Sequence, residues 1–596
     1  MKMKSRKGLL TLLALVLVFS LTVTAYAAWP SFQNDADNNG VIPVSPAPPT
    51  ASPTVAANQL ANNYGGGIDA PSVIDDNCIA YTLYNGGYVF GTAGGARLQA
   101  TTLSSPTPAV WNVQLDATAD NVPQLSTPVL VGTDLYALTT GSTSLYGSSA
   151  FDTTNWTGTA TINNMNNTAT FPANSTTNIR SVATDVTFIA PTTNITTEFT
   201  LTPAVNDAAT YTIELLDSGN SVIATLVSGA TLYGGYSTAL NYYSGAAIPA
   251  GSYKIKLTIT TDGTNPIEVT DISLYGSGWS LYCIDTTTTP ANNPSPIATG
   301  VGAANTPITH CGDYLYFGIY GGVRSYYQYD ISTPALNQFA ASEDFYWAGA
   351  TTVTLDETNY VVFGSDSGTV YLRNVASFAS TGTTSSPGAG LSITPGAIRS
   401  TIVNGGDGYY YFTSAGTGTN GYVWRTADFS TYAVVQTPSF STVNDTLTTT
   451  TTSTPVRSGL GYVYVGYSGD YTDFVTPANS GPVGGVIGVP TASFSTGNRF
   501  QVYGTAVTTN VTGNPVQSSP IVWTDEEADP NPLDYIYFTT NSANGEGYCY
   551  SYDGSTPAQV WAAGGTSGNR YALQGFASGC GYLVYGDDDV YLYVMN

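Results

Sequence analysis

The sequence predicts an all-β chain: an eight-bladed β-propeller, with seven blades as the alternative, interrupted by an inserted β-sandwich domain. Three observations carry this expectation. A Ser/Thr/Ala-Pro pair followed by aliphatics recurs at Ala70-Pro71, Thr127-Pro128, Thr306-Pro307, Thr394-Pro395, Thr454-Pro455 and Ser519-Pro520. Most of these pairs lead into an aromatic and aliphatic strand, such as Asp134-Leu135-Tyr136-Ala137, Asp313-Tyr314-Leu315-Tyr316-Phe317-Gly318 or Asp534-Tyr535-Ile536-Tyr537-Phe538. Pro307 and Pro455 lie 148 residues apart, and weaker copies place three units there, a period of about 49. Runs of period two separated by Gly/Asp/Ser turns form antiparallel hairpins. Four-stranded blades of roughly 40–50 residues are the propeller repeat.

Composition supports the same class and excludes several functions. The 596 residues include 63 Gly, 33 Pro, 44 Tyr, 20 Phe and 8 Trp, a turn-rich chain with ample material for large cores. Only 9% are charged, against about 25% in a typical soluble domain. The formal net charge is −25, from 40 acids and 15 bases. Four bases (Lys2, Lys4, Arg6, Lys7) precede an acid-free apolar run, so the remainder stands near 11 − 40 = −29. Nucleic-acid binding needs cations that release counterions, so this balance argues against it.

The elements follow in order. Residues 1–27 read as a secretory signal peptide: a basic start, an apolar run from Leu9 to about Leu21, then Ala25-Tyr26-Ala27. No membrane span is expected after its cleavage. Residues 28–59 form an N-terminal strand and Pro-rich segment. Residues 60–146 hold blade 1 and the first part of blade 2, residues 147–276 the inserted sandwich, and 277–596 the rest of the propeller. The last unit stops after three strands, and an open edge is a liability. The region Trp29–Phe32 is therefore expected to close the ring. Pro128 and Pro307 are 179 residues apart, an excess of about 130 that marks the insertion. Its strands are expected at 196–202, 210–216, 222–227, 253–261 and 267–275, joined to the host blade through Gly/Ser-rich ends. Its final Asp271-Ile272-Ser273-Leu274-Tyr275-Gly276 resembles the closing strand of carbohydrate-binding jelly rolls.

Trp29-Pro30-x-Phe32, followed by the T-P-aliphatic and G/D-x-aromatic-aliphatic-aromatic-x-G units, resembles the PQQ-binding-like (quinoprotein-like) β-propeller family. The dehydrogenases of that family carry two adjacent disulfide-bonded cysteines, a Trp platform and a bound Ca²⁺. No two of the five cysteines here are adjacent. The resemblance therefore implies a non-catalytic member without a quinone cofactor.

The cysteines are the sharpest test of the repeat register. Cys283 and Cys549 fall on third strands, and Cys311 and Cys580 just before the second strand of the next blade, at offsets of 28 and 31 residues. The repeated offset predicts disulfides Cys283–Cys311 and Cys549–Cys580, with Cys78 a free thiol. Asp35, Asp37 and Asn39 match the first half of a calcium loop, but Pro46 stands where the bidentate Glu belongs. Trp156, Tyr233, Tyr236, Tyr242 and Tyr243 of the insertion are candidates for stacking on a ligand. The single histidine, His310, and the acid runs at 525–529 and 587–589 are read as strand-end and turn residues. No catalytic set is expected.

The functional expectation is a secreted, non-enzymatic scaffold or binding protein, outside the cell or on its surface, with the periplasm as the alternative. Its partner would be an extracellular protein or a glycan. One alternative is a glycan-binding protein that uses the sandwich. The other is a degenerate quinoprotein or a polysaccharide-active enzyme.

Overall fold

The computed structural model describes residues 31–33, 40–42, 47–60 and 67–596, the last span with breaks at 87, 90–91, 94, 117–125, 149–150, 189–194, 203–208, 233–237, 244–247, 262–265, 321–323, 342, 389–390, 392, 417–419, 477–478, 508–509, 529, 543 and 566–571. The expected signal peptide, Trp29 and the candidate calcium residues Asp35, Asp37 and Asn39 lie outside the described residues.

The chain is all-β. Four-stranded antiparallel meanders lie within residues 73–116, 129–301, 309–340, 351–385, 403–436, 456–503 and 521–563, and three strands within 577–595; these are here blades 1 to 8 in chain order. The second strand of each meander explains the aromatic runs. In Tyr314–Ile319, successive residues point to opposite faces, and both faces are covered by a neighbouring blade. Phe317 packs on Trp279 of blade 2, and Tyr316 on Phe378 of blade 4. A strand buried on both faces reads as a continuous apolar run rather than an alternating one.

The same sharing runs around the whole ring. Tyr81 and Leu98 pack with Leu135 and Tyr282 between blades 1 and 2. Tyr326 stacks on Phe363 between blades 3 and 4, with ring centroids 3.7 Å apart. Val362 and Leu372 meet Phe412 and Trp424 between blades 4 and 5, and Tyr411 meets Val463 and Val465 between blades 5 and 6. Tyr503 packs on Phe538 between blades 6 and 7. One cluster then unites Tyr537 and Trp561 of blade 7, Tyr585 and Tyr593 of blade 8, and Ile74 and Tyr84 of blade 1. The last blade thus rests on the first.

Hairpin turns recur as an Asp that caps the turn and holds a strand Tyr. Asp75 accepts from the Asn77 and Ile79 amides and from Tyr81 Oη at 3.1 Å. Asp407 accepts from Tyr411 Oη at 2.9 Å, and Asp587 from Tyr593 Oη at 3.0 Å. Short Asp side chains bond local backbone amides readily, which fixes the turn, and the phenol then fixes the strand.

Ring closure differs from the expectation for Trp29–Phe32. The fourth strand of blade 8 is Val55–Gln59, paired antiparallel with Tyr591–Met595 from Val55↔Met595 to Gln59↔Tyr591. Thr54 and Asn596 exchange both backbone hydrogen bonds. Residues 31–33 lie instead at the axis, where Gln33 Nε2 donates to the Pro520 carbonyl at 3.1 Å. The chain then bridges in parallel to Val522 through Val41, and the Pro49 carbonyl accepts from Tyr537 Oη and Trp561 Nε1. The segment therefore runs outward from the axis along blade 7 before it can pair at the rim. An outer strand has to lie at the rim, so residues at the axis cannot supply it.

The thiols also differ from the expectation. Cys78 is bonded to Cys580, with Cα atoms 5.8 Å apart, and Cys283, Cys311 and Cys549 are free. The reason is geometric. Cys283 packs in the cluster between blades 2 and 3, whereas Cys311 packs in the one between blades 3 and 4, so blade 3 separates them. Cys549 is buried in the cluster around blade 8 and keeps its thiol beside Tyr537. Cys78 and Cys580 occupy the same place in blades 1 and 8, the left-handed turn residue between first and second strands (φ 60° and 54°). Equivalent turns of adjacent blades stand side by side.

Within blade 2, residues 151–274 build one further antiparallel sheet and extend the blade's own into a second. One has the order Trp156–Gly158, Thr176–Ser181, Gly251–Thr261, Ala209–Leu216, Val222–Leu232. The other contains Thr161–Asn163, Thr168–Phe171, Ile267–Asp285, Ile195–Thr202 and Thr238–Tyr243. They enclose one core of their own, including Phe151, Trp156, Phe171, Ile213, Leu257 and Ile272. Gly147 and Gly276 do not lie in loops. The host strands Asp134–Ser148 and Ile267–Asp285 stay paired across both glycines, from Asp134↔Asp285 to Ser148↔Ile272. The insertion is therefore carried on two hydrogen-bonded strands.

Candidate functional site: the axial cavity

Five of the six Ser/Thr/Ala-Pro pairs that carry the sequence repeat reach the ring axis. Thr127, Thr454 and Ser519, with Pro71 and Pro307, line one cavity of about 220 Å³. Hydroxyls of this inner belt tie successive blades together. Thr401 Oγ1 accepts from the Gly349 amide (3.1 Å), Thr454 Oγ1 from the Thr401 amide (3.0 Å), and Ser519 Oγ from the Thr454 amide (2.9 Å). Inner-strand edges leave backbone amides that need partners once buried. A small hydroxyl residue meets that need without filling the channel.

Four polar or aromatic residues give the cavity its character. Arg399 is clamped by Asp366, Nε to Oδ1 at 3.0 Å and Nη2 to Oδ2 at 2.9 Å, and lies over the Tyr346 ring at 4.6 Å. Trp347 has φ 59°, and the Asn305 side chain accepts from its amide at 3.1 Å. A bulky residue with positive φ persists only where its surroundings hold it. Asp69 lies opposite in chain order, at the start of blade 1. Burial, with a smaller contribution from the Asp588 charge, pushes its carboxyl up to about 7. Gln574, at the start of blade 8, completes the set. Phe32 lines the same cavity, so the N-terminal segment forms part of its wall.

The residues singled out in the sequence lie elsewhere. Trp156 is 1% exposed and packs edge and face on Tyr146 and Phe151, so it cannot stack on a ligand from solvent. Tyr233 and Tyr236 lie outside the described residues, and Tyr242 and Tyr243 belong to the strand Thr238–Tyr243, paired with Ile195–Thr202. His310 Nε2 bonds the Gly312 carbonyl at 2.7 Å in its own hairpin. Asp525 and Asp587 cap turns. Among the described residues, no three His, Cys, Asp or Glu side chains converge on a point that could hold a metal ion. Sequence reading passed over Asp69, Trp347, Arg399 and Gln574. Two of them carried a signal: Asp69 stands two residues before Pro71 and Arg399 four after Pro395, beside the repeated prolines that mark the axis.

No protein-family model and no curated protein matches this sequence. Solved structures similar to it include the quinohemoprotein alcohol dehydrogenase ADHIIG from Pseudomonas putida HK5, at 10% identity and a TM-score of 0.43, over 96% of this chain and 80% of that one. BamB from Moraxella catarrhalis is similar at 12% identity and a TM-score of 0.33, over 54% of this chain and 81% of that one. Quinohemoprotein alcohol dehydrogenase from Comamonas testosteroni is similar at 8% identity and a TM-score of 0.36, over 96% and 80%. At these scores the likeness carries no functional argument, and the ring stands on its own strand pairing.

Proposed function

We propose that the protein is an exported, non-enzymatic β-propeller, a rigid scaffold and binding platform that works outside the cell or at its surface. The observation that supports this reading most is the Cys78–Cys580 bond across the seam between first and last blades. Disulfides form and persist in oxidising compartments and are rare in the cytosol. The bond joins residues 502 apart in sequence, so it locks the ring as a whole rather than one hairpin. The large acidic excess keeps such a body soluble and monodisperse. The two-sheet insertion on blade 2, with a core of its own, would offer a further surface for a partner.

The test is fractionation of cells that express the full-length chain, combined with labelling by a membrane-impermeant biotin reagent. The expected result is labelled protein in the external or surface fraction. Unlabelled cytoplasmic protein with Cys78 and Cys580 reduced would overturn the proposal.

A further inference from the structure

Buried polar atoms in folded proteins almost always have a hydrogen-bond partner, so an orphan that faces a cavity marks where something else supplies one. Among the described residues, two that line the axial cavity carry such an orphan. Asp69 Oδ2 and Gln574 Oε1 are both buried and have no partner. Gln574 is only 5% exposed as a residue. As placed, both orphans are acceptors, and a donating group satisfies both. They come from the inner edges of adjacent blades, 8 and 1. The cavity has room for more than single waters, at about 220 Å³ against roughly 30 Å³ per liquid water.

Charge narrows the class. Asp69 and its neighbour Asp588 disfavour an anion, and the one cation on the wall among the described residues, Arg399, is already clamped by Asp366. Phe32, Pro71, Pro307, Trp347 and Leu573 supply apolar and aromatic wall. A divalent ion such as Ca²⁺ takes six to eight oxygens, and no convergent acidic set exists among the described residues. A cation with an organic body meets all of these conditions.

We propose that the axial cavity binds a small organic ammonium, its N–H groups donating to Asp69 Oδ2 and Gln574 Oε1 and its body resting on Trp347 and Phe32. The carboxylate, costly when buried alone, gains its counter-charge from the ligand. A cation beside an aromatic face adds attraction that strengthens where water is excluded. This goes beyond the scaffold reading and does not depend on the protein's compartment.

The experiment is isothermal titration of the full chain with benzylammonium and n-butylammonium chloride near pH 8, where an ordinary carboxyl and a raised one are both ionised. Calcium chloride and glucose are titrated as separate arms. The expected result is saturable binding of benzylammonium, weakened at least about tenfold by Asp69→Asn, which removes one charge-assisted bond. Gln574→Leu should weaken it several-fold. An amine-dependent rise in the wild-type melting temperature gives a second readout that needs no variant to fold. The proposal is overturned if neither amine binds wild-type protein by about 10 mM, a very weak affinity. It is overturned equally if Asp69→Asn binds as wild type does, or if calcium or glucose binds and the amines do not.

Discussion

Removal of the seam bond should weaken the ring by an amount that chain statistics set. Cys78 and Cys580 lie 502 positions apart, and the loop-closure expression −2.1 − 1.5R ln n then gives about 6 kcal/mol at 25 °C. Measured losses for native disulfides run lower, about 2–5 kcal/mol. The folded seam also keeps its other fastening, the pairing of Val55–Gln59 with Tyr591–Met595, so the native structure survives the substitution. We expect Cys78→Ala/Cys580→Ala to lose about 3–5 kcal/mol. With roughly 2.1 cal/mol/K of unfolding entropy per residue over about 500 folded residues, the melting temperature should fall by about 3–5 °C. Differential scanning calorimetry reads this directly, with and without reductant. Reductant should lower the wild-type transition and leave the double variant unchanged. The reasoning is refuted if the double variant melts with wild type, or if Cys283→Ala causes the same drop.

Three further outcomes follow from particular contacts. Asp69 has a folded pKa raised to about 7, above an unfolded value near 3.9, so the folded state binds more protons between those values. Stability should therefore fall as pH rises from about 4 to about 7, and denaturant titrations of Asp69→Asn should show a shallower fall. Trp156→Ala empties the centre of the insertion core and should cost about 3–5 kcal/mol, seen as new protease cleavage confined to residues 148–275. Asp587→Ala leaves the Asp589 and Tyr591 amides and Tyr593 Oη without their shared acceptor. It should cost about 2–4 kcal/mol in urea unfolding, whereas Asp525→Ala, at an exposed turn, should cost under about 0.5 kcal/mol.

The parts of the fold that were legible in the sequence are those set by local chemistry. The Ser/Thr-Pro pairs mark the approach to inner strands, and at Thr454 and Ser519 the hydroxyl ties neighbouring blades. The aromatic runs mark second strands because both faces are buried between blades. The excess between Pro128 and Pro307 marks extra structure, but not its boundary, because the host strands continue through Gly147 and Gly276 as one ladder. Long-range choices were not legible. Val55–Gln59 is short and half-polar, and nothing in it singles out the C-terminal strand as its partner. The cysteine spacing located Cys283 and Cys311 on neighbouring blades, but not on which face of blade 3 each thiol emerges. Cys78 and Cys580 bond because they share a turn position, a geometric equivalence that spacing along the chain conceals. The axial residues were missed for a related reason. Asp69, Trp347, Arg399 and Gln574 meet only because separate blades point at one axis, and no motif spans them.

The most direct test of the account is peptide mapping by mass spectrometry, without reduction, of protein recovered from outside intact cells. The account predicts one cross-linked peptide pair, Cys78 with Cys580, and alkylated thiols at Cys283, Cys311 and Cys549. Cross-links Cys283–Cys311 or Cys549–Cys580, or five alkylated thiols in protein found only inside the cell, would contradict both the closed seam and the extracellular role built on it.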